Sequence, residues 1–234
     1  MISIIIPLYN QADKITKCLD SISRQSYQNY EIIVVNDGSK DKPLKVIKEY
    51  KKIFEEKQKV FKYFEQENKG APSARNKGFE ESKGGYVIFC DADAILEARA
   101  LEKMFKKLDK NNKASYVYSS FVWGKKKFRV GPFDSERLKN EPFIHTMALI
   151  RREDFTSEGW DESIKKFQDW DLWLTMLKEG KKGEWIDDIL FKIKAGGTMS
   201  EWLPSFFYKA MPFLPQVKKY KKAMNIIKNK HNIK

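Results

Sequence analysis

The chain has 234 residues, 41% of them hydrophobic, 14% aromatic and 33% charged, with a formal net charge of +13. That length suits one large domain, or one domain with an appendage, and no stretch approaches the ~20 apolar residues of a membrane span. The charge admits nucleic acid, an anionic membrane surface or a nucleotide-type substrate as partners, beside the plainer reading of lysine-rich solvated helix faces.

Met1 runs directly into "ISIIIP", a strand pattern without a basic n-region or a cleavage site, so no signal peptide is expected. Cys18 and Cys90 lie within apolar patterns and read as reduced core thiols of a cytoplasmic protein. The first half then alternates. Ser3–Tyr9 is a short apolar strand, followed by Ile15, Leu19 and Ile22 at helical spacing. Tyr30–Ser39 is a second strand ending in turn residues, and Pro43 opens a helix that presents Leu44, Ile47, Tyr50 and Phe54. Val60–Gln66 reads as a third strand, Ser73–Ser82 as a helix, Tyr86–Cys90 as a fourth strand, and Leu101, Met104, Phe105 and Leu108 mark another helix. This order predicts an α/β fold with a mainly parallel central sheet and helices on both faces.

The second half is less regular. Ser115–Trp123 and Thr146–Ile150 read as strands, Trp170–Lys178 as a helix with acids at its N-terminus, and Glu184–Ile186 and Leu190–Lys194 as two short strands. Residues 1–200 are expected to form one unit, with halves at about 1–110 and 111–200, and residues 201–234 an aromatic and basic extension. In that extension Trp202, Phe206, Phe207, Tyr208 and Phe213 precede Val217, Tyr220, Ala223, Met224 and Ile227 at roughly helical spacing, among lysines and with no acid beyond Glu201. Two readings stand: a helix lying on an anionic membrane beside a lipid-linked acceptor, or a cap on the domain core or an oligomer interface.

Four polar clusters fall where strands end: "PLYN" (Pro7–Asn10), "NDGS" (Asn36–Ser39), "ENKGAPSARNKG" (Glu67–Gly78) and "CDADA" (Cys90–Ala94). In a parallel sheet these ends share one edge, where ligands bind. An ionised Asp37 there suits a base N–H or a ribose hydroxyl. Asp91 and Asp93 can offer hard oxygens to Mg²⁺ or Mn²⁺, and Arg75 can fork onto phosphate or base oxygens. Singly each cluster is an ordinary turn sequence; their joint order is not.

That order resembles the family 2 glycosyltransferases, inverting enzymes with the GT-A fold. The resemblance rests on "PLYN", "VVNDGSKD", "ENKGAPSARNKG", "CDADA" and "EGWDESIKKFQDWDLWLTML", across about the first 200 residues. It implies that Asp37 binds the nucleobase, Arg75 helps hold the nucleotide, Asp91 lies near the ribose and Asp93 on a Mn²⁺ or Mg²⁺ bridging the diphosphate. Pro7, Tyr9, Asn10, Asn68, Gly70 and Ala92 complete the nucleotide-sugar site. Asp169 takes the general-base position, while Trp170 and Leu172 pack the helix. The implied activity is transfer from a nucleotide-diphosphate sugar, a UDP-sugar favoured, to a glycan or lipid-linked acceptor. Its setting is bacterial-type surface polysaccharide or glycolipid synthesis, at the inner face of the membrane where peripheral.

Three positions depart from the family pattern. Gln168 stands where a Glu usually precedes the base, Ala94 where an acid often follows Asp-x-Asp, and Lys194 where "LFKIKAGGTMS" would have a His. Lys194 is a candidate phosphate contact. His145 reads as a structural or surface residue. The rival readings are a nucleotidyltransferase, which leaves Asp169 without a role, and a non-catalytic nucleic-acid-binding protein. An acid-lined crevice would repel a nucleic-acid backbone, so no nucleic-acid partner is expected.

Overall fold

A computed structural model describes residues 1–194, 211 and 213–233. Strands β1 (Ile2–Leu8), β2 (Tyr30–Asp37), β3 (Phe61–Gln66) and β4 (Tyr86–Phe89) alternate with helices α1 (Ala12–Ser23), α2 (Leu44–Glu56) and α3 (Ala71–Glu80). The pairs β1–β2, β2–β3 and β1–β4 are all parallel. β1 and β2 are buried almost throughout, as continuous runs of Ile and Val in a parallel sheet covered on both faces should be.

Then follow β5 (Ala94–Leu96), α4 (Ala100–Lys110), β6 (Tyr116–Trp123), β7 (Lys126–Phe128), α5 (Ser135–Asn140), β8 (Leu149–Arg151), α6 (Gln168–Lys178), β9 (Gly183–Ile193) and α7 (Pro215–Lys230). The sheet runs β3-β2-β1-β4-β8-β6-β9-β5, with β7 paired to β6. β6 and β9 are parallel, whereas β8 joins β4 and β6 antiparallel and β5 joins β9 antiparallel. The parallel half supplies the ligand edge. Leu8 pairs with Asn36 and Asp37 with Gln66, so the polar residues after β1, β2 and β3 emerge side by side.

Close packing of α3 fixes what lies above that edge. A Cβ on Gly78 would stand 2.3 Å from Ile5 Cγ2, so only glycine lets the helix lie this near β1. The two short strands expected near the C-terminus are one strand. Ser119 pairs with Ile186 and Ser120 with Ile189, so Asp187 and Asp188 are pushed out of register in a bulge. β7 and α5, in a region with no readable sequence pattern, had no counterpart in the sequence reading.

The chain's end does not stand apart. Val217 and Ile227 of α7 are fully buried, and Ile227 belongs to the same core as β1. Part of the apolar stripe of α7 therefore packs on the domain, the arrangement expected of a cap on the domain core. Phe213 and Ile226 remain outside, 62% and 51% exposed. Trp202, Phe206, Phe207 and Tyr208 lie outside the described residues. No described helix is long and apolar enough to cross a membrane.

Candidate active site

A cavity of about 860 Å³ opens at the strand ends, within the usual size of small-molecule sites. Pro7, Tyr9, Asn10, Asp37, Asn68, Gly70, Arg75, Asp91, Asp93 and Asp169 all line it, as do His145, Phe167 and Gln168. Two expected members do not. Ala92 turns its methyl into the core, because the tight turn after β4 sends alternate residues to opposite sides. Lys194 is exposed past the end of β9, and Ile193 rather than Lys194 lines the cavity.

The edge loops are tied to each other before any ligand arrives. Asn10, in a left-handed turn with φ 50°, accepts from Lys40 N at 2.8 Å, and its own N–H donates to Ser39 Oγ at 3.0 Å. Asp37 is only 2% exposed and accepts from Lys69 N, Gly70 N and Gln66 Nε2 at 2.8, 2.8 and 2.9 Å. It thus pins the start of α3 to the end of β2, a task the sequence reading did not foresee. A carboxylate offers about four lone-pair sites, so three donors leave one acceptor place.

Arg75 is the centre of the acidic side. Its Nη2 meets Asp91 Oδ1 at 3.2 Å, its Nη1 donates to Gln168 Oε1 at 3.1 Å, and its plane lies over the Trp160 ring at 4.5 Å. Gln168 also donates Nε2–H to Ile164 O at 3.1 Å. A glutamate could accept from Arg75 but could not donate to that carbonyl, so the amide suits this position. Burial and the neighbouring Asp91 push the Asp93 carboxyl up to about 6, with Lys14 pulling the other way. Among the described residues no cluster of three metal-type side chains forms. Asp91 Oδ2, outside the Arg75 pair, and the Asp93 carboxylate still fit Mg²⁺ or Mn²⁺, which keep waters and take phosphate oxygens as their other ligands.

Asp169 and Asp171 part company. On a helix two residues are about 200° apart, so one acid faces the cavity and the other faces away. Asp169 lines the cavity and accepts from Trp170 N at 2.9 Å. Burial raises its carboxyl above the ordinary value, against the Trp170 backbone bond and the pull of Arg75. Trp170 and Trp173 anchor the helix beneath it, both fully buried, donating indole N–H to Leu138 O and Ile144 O. Asp171 is buried and points at α7.

His145 is the residue the sequence undervalued. Its ring lies 5.0 Å from Phe121 and 5.1 Å from Phe191, and its Nδ1 accepts from Met147 N at 3.1 Å. That bond places the remaining proton of a neutral imidazole on Nε2, which stands 3.8 Å from Asp91 Oδ2. Burial pulls its pKa down, so the neutral form prevails at pH 7. A lone histidine in a loop carries no sequence signal for this; only the fold brings it to the acids.

The model of the family described as Glycosyl transferase family 2 matches residues 3–159. The chain belongs to that family. It is 35% identical over 195 residues to a glycosyltransferase of Rickettsia typhi, covering 76% of this chain and 59% of the relative. It is 44% identical over 107 residues to glycosyltransferase GlyA of Streptococcus pneumoniae serotype 4, covering 46% of this chain but 15% of that protein. The chain thus spans less than two thirds of the length of these relatives. In fold this glycosyltransferase is similar to S. aureus TarS 1–349, solved with UDP-GlcNAc, at TM-score 0.72 and 18% identity over 98% of this chain and 72% of that one. It is also similar to the mannosyltransferase PcManGT of Pyrobaculum calidifontis, solved with GDP-Man and Mn²⁺, at TM-score 0.69 and 20% identity over 97% and 69%. The fold is the GT-A type, as the sequence order implied.

Proposed function

We propose that this family 2 glycosyltransferase moves a sugar from a nucleotide-diphosphate donor, a UDP-sugar favoured, to an acceptor hydroxyl with inversion at the anomeric carbon. The observation that carries this reading is the shared cavity, where Asp91 and Asp93 on one element and Asp169 on another face a single space beside Arg75. Pro7 and the remaining acceptor place of Asp37 receive the base. Arg75, already paired with Asp91, presents its buried, hydrogen-bonded guanidinium to the nucleotide. Asp91 and Asp93 would hold Mn²⁺ or Mg²⁺, which when bound neutralises the departing diphosphate. Asp169 takes the proton of the acceptor hydroxyl as its oxygen attacks the anomeric carbon opposite the breaking C–O bond, and its raised pKa makes it a better base. The complexes of TarS with UDP-GlcNAc and of PcManGT with GDP-Man and Mn²⁺ support the donor class. The proposed setting is synthesis of a surface polysaccharide or glycolipid of bacterial type.

The test is slow donor hydrolysis, which needs no acceptor. UDP-, GDP- and dTDP-sugars are incubated with Mn²⁺ or Mg²⁺ and the products separated. Release of a nucleoside diphosphate and free sugar from one donor is the expected result. A nucleotidyltransferase would instead leave these donors intact and would release inorganic diphosphate from a nucleoside triphosphate supplied with a sugar 1-phosphate.

A further inference from the structure

Asp171 is the acid of α6 that the cavity does not use. Its side chain is 4% exposed and receives Lys230 Nζ at 2.8 Å on one oxygen and His231 Nε2 at 2.8 Å on the other. Lys230 also reaches Asp161 at 2.7 Å. Burial draws the Lys230 ammonium down, but its bonds to Asp161 and Asp171 outweigh that and raise it. The Lys230 ammonium and the His231 imidazole at the end of α7 are thus closed on the buried Asp171 carboxylate of α6, where removing one partner is costly.

Further along α7 the contacts turn toward the chemistry. Tyr220 stands edge-on to Phe167, with ring centroids 5.1 Å apart at 85°. Phe167 immediately precedes α6, with φ 61°, a left-handed backbone unusual for a non-glycine residue. Gln216, Lys219 and Tyr220 line the cavity, as do Phe167 and Asp169. The donor-side acids come instead from the strand ends and the turn after β4.

We propose that α7 is the acceptor-side wall of the site, that Tyr220 positions the acceptor's sugar ring against Asp169, and that Asp171, Lys230 and His231 form the clasp holding that wall in place. This rests on the transferase reading, in which the group beside Asp169 is the acceptor hydroxyl. A tyrosine suits the task because its ring, lining the cavity, offers an apolar face to a pyranose C–H surface. The clasp acts at the far end of the same helix, so Asp171 is a positioning residue and touches no substrate.

The experiment uses the full chain, in two arms. In the first, UDP and GDP binding with Mg²⁺ is measured by calorimetry. Saturation-transfer difference spectra are then recorded with p-nitrophenyl β-glucoside and β-galactoside in the presence of the nucleotide. Tyr220→Ala is expected to weaken the glycoside signal at least five-fold while nucleotide affinity stays within about two-fold. In the second, amide hydrogen exchange is followed in Asp171→Asn and Lys230→Met. Exchange across residues 215–230 should rise about ten-fold or more with β1 to β4 unchanged. The acceptor role is overturned if wild type binds nucleotide but engages neither glycoside, or if Tyr220→Ala engages them as wild type does. The clasp is overturned if both variants leave α7 exchange as it was. Wild type that binds neither nucleotide refutes the transferase reading itself and the acceptor role with it, while the exchange arm still decides the clasp.

Discussion

Arg75→Met removes the guanidinium that pairs with Asp91. At 3.2 Å the Arg75–Asp91 attraction is worth about 5 kcal/mol with an effective dielectric of about 20. Asp91 is 25% exposed, so water recovers part of that when the partner leaves. Loss of the stack on Trp160 adds about 1 kcal/mol, and Gln168 Oε1 loses its donor. The desolvation cost of Arg75 itself, whose buried Nε finds no partner among the described residues, is refunded. A net destabilisation of about 2–4 kcal/mol follows, since removing one side of a buried pair leaves the other uncompensated. For a chain of this size that lowers the thermal midpoint by about 5–15 °C. The assay is thermal unfolding of Arg75→Met, of Asp91→Asn and of the double variant. If unpaired charge is the cause, Asp91→Asn should restore at least half of the loss in the Arg75→Met background. A double variant as unstable as Arg75→Met alone refutes the electrostatic reasoning and leaves packing as the explanation.

Asp169→Asn should lower transfer by about 10²–10⁴-fold. Its thermal midpoint should stay level or rise, because the ionised carboxylate is disfavoured by burial, and turnover above a tenth of wild type would exclude Asp169 as the base. Asp93→Asn should abolish Mn²⁺-dependent UDP binding in calorimetry while the metal-free protein at pH 7 stays as stable or gains. The sign follows from a folded pKa raised to about 6: the proton is held more tightly in the fold, so the relative stability it confers is lost as pH climbs from about 4 through 6. For the same reason wild-type Mn²⁺ affinity should fall about ten-fold per pH unit below 6, and a flat profile down to pH 5 would contradict it. Gly78→Ala should cost about 1–3 kcal/mol, measured by denaturant unfolding, because the new methyl meets Ile5 Cγ2 and forces α3 off β1.

The donor half was legible because its physics is local. Buried parallel strands write themselves as runs such as Ile4–Ile6 and Ile32–Val35, and the polar residues that end them fall in the order of the sheet edge. The start of α6 was legible for the same reason, with Asp169 and Asp171 in its first turn. What the residues could not disclose was which of two acids two positions apart faces the cavity, since that depends on where α7 lies. His145 was hidden similarly, being a loop residue delivered to Asp91 by the antiparallel return of β8 between β4 and β6. The bulge at Asp187 and Asp188 split one strand into two apparent ones by breaking the apolar pattern.

Cys18 and Cys90, the chain's only cysteines, are both buried, with their sulfurs 3.7 Å apart and each directed at the carbonyl of Asp91. The bond to Cys18 and burial hold the Cys90 thiol well above its ordinary pKa, so it stays protonated and unreactive toward alkylating dyes. With both thiols buried, the folded protein is expected to react only slowly with maleimides. A cysteine introduced at Ile226, on the outer side of α7, would be the one thiol that a fluorophore can reach, and release of that helix from the domain could be followed by anisotropy on the intact chain.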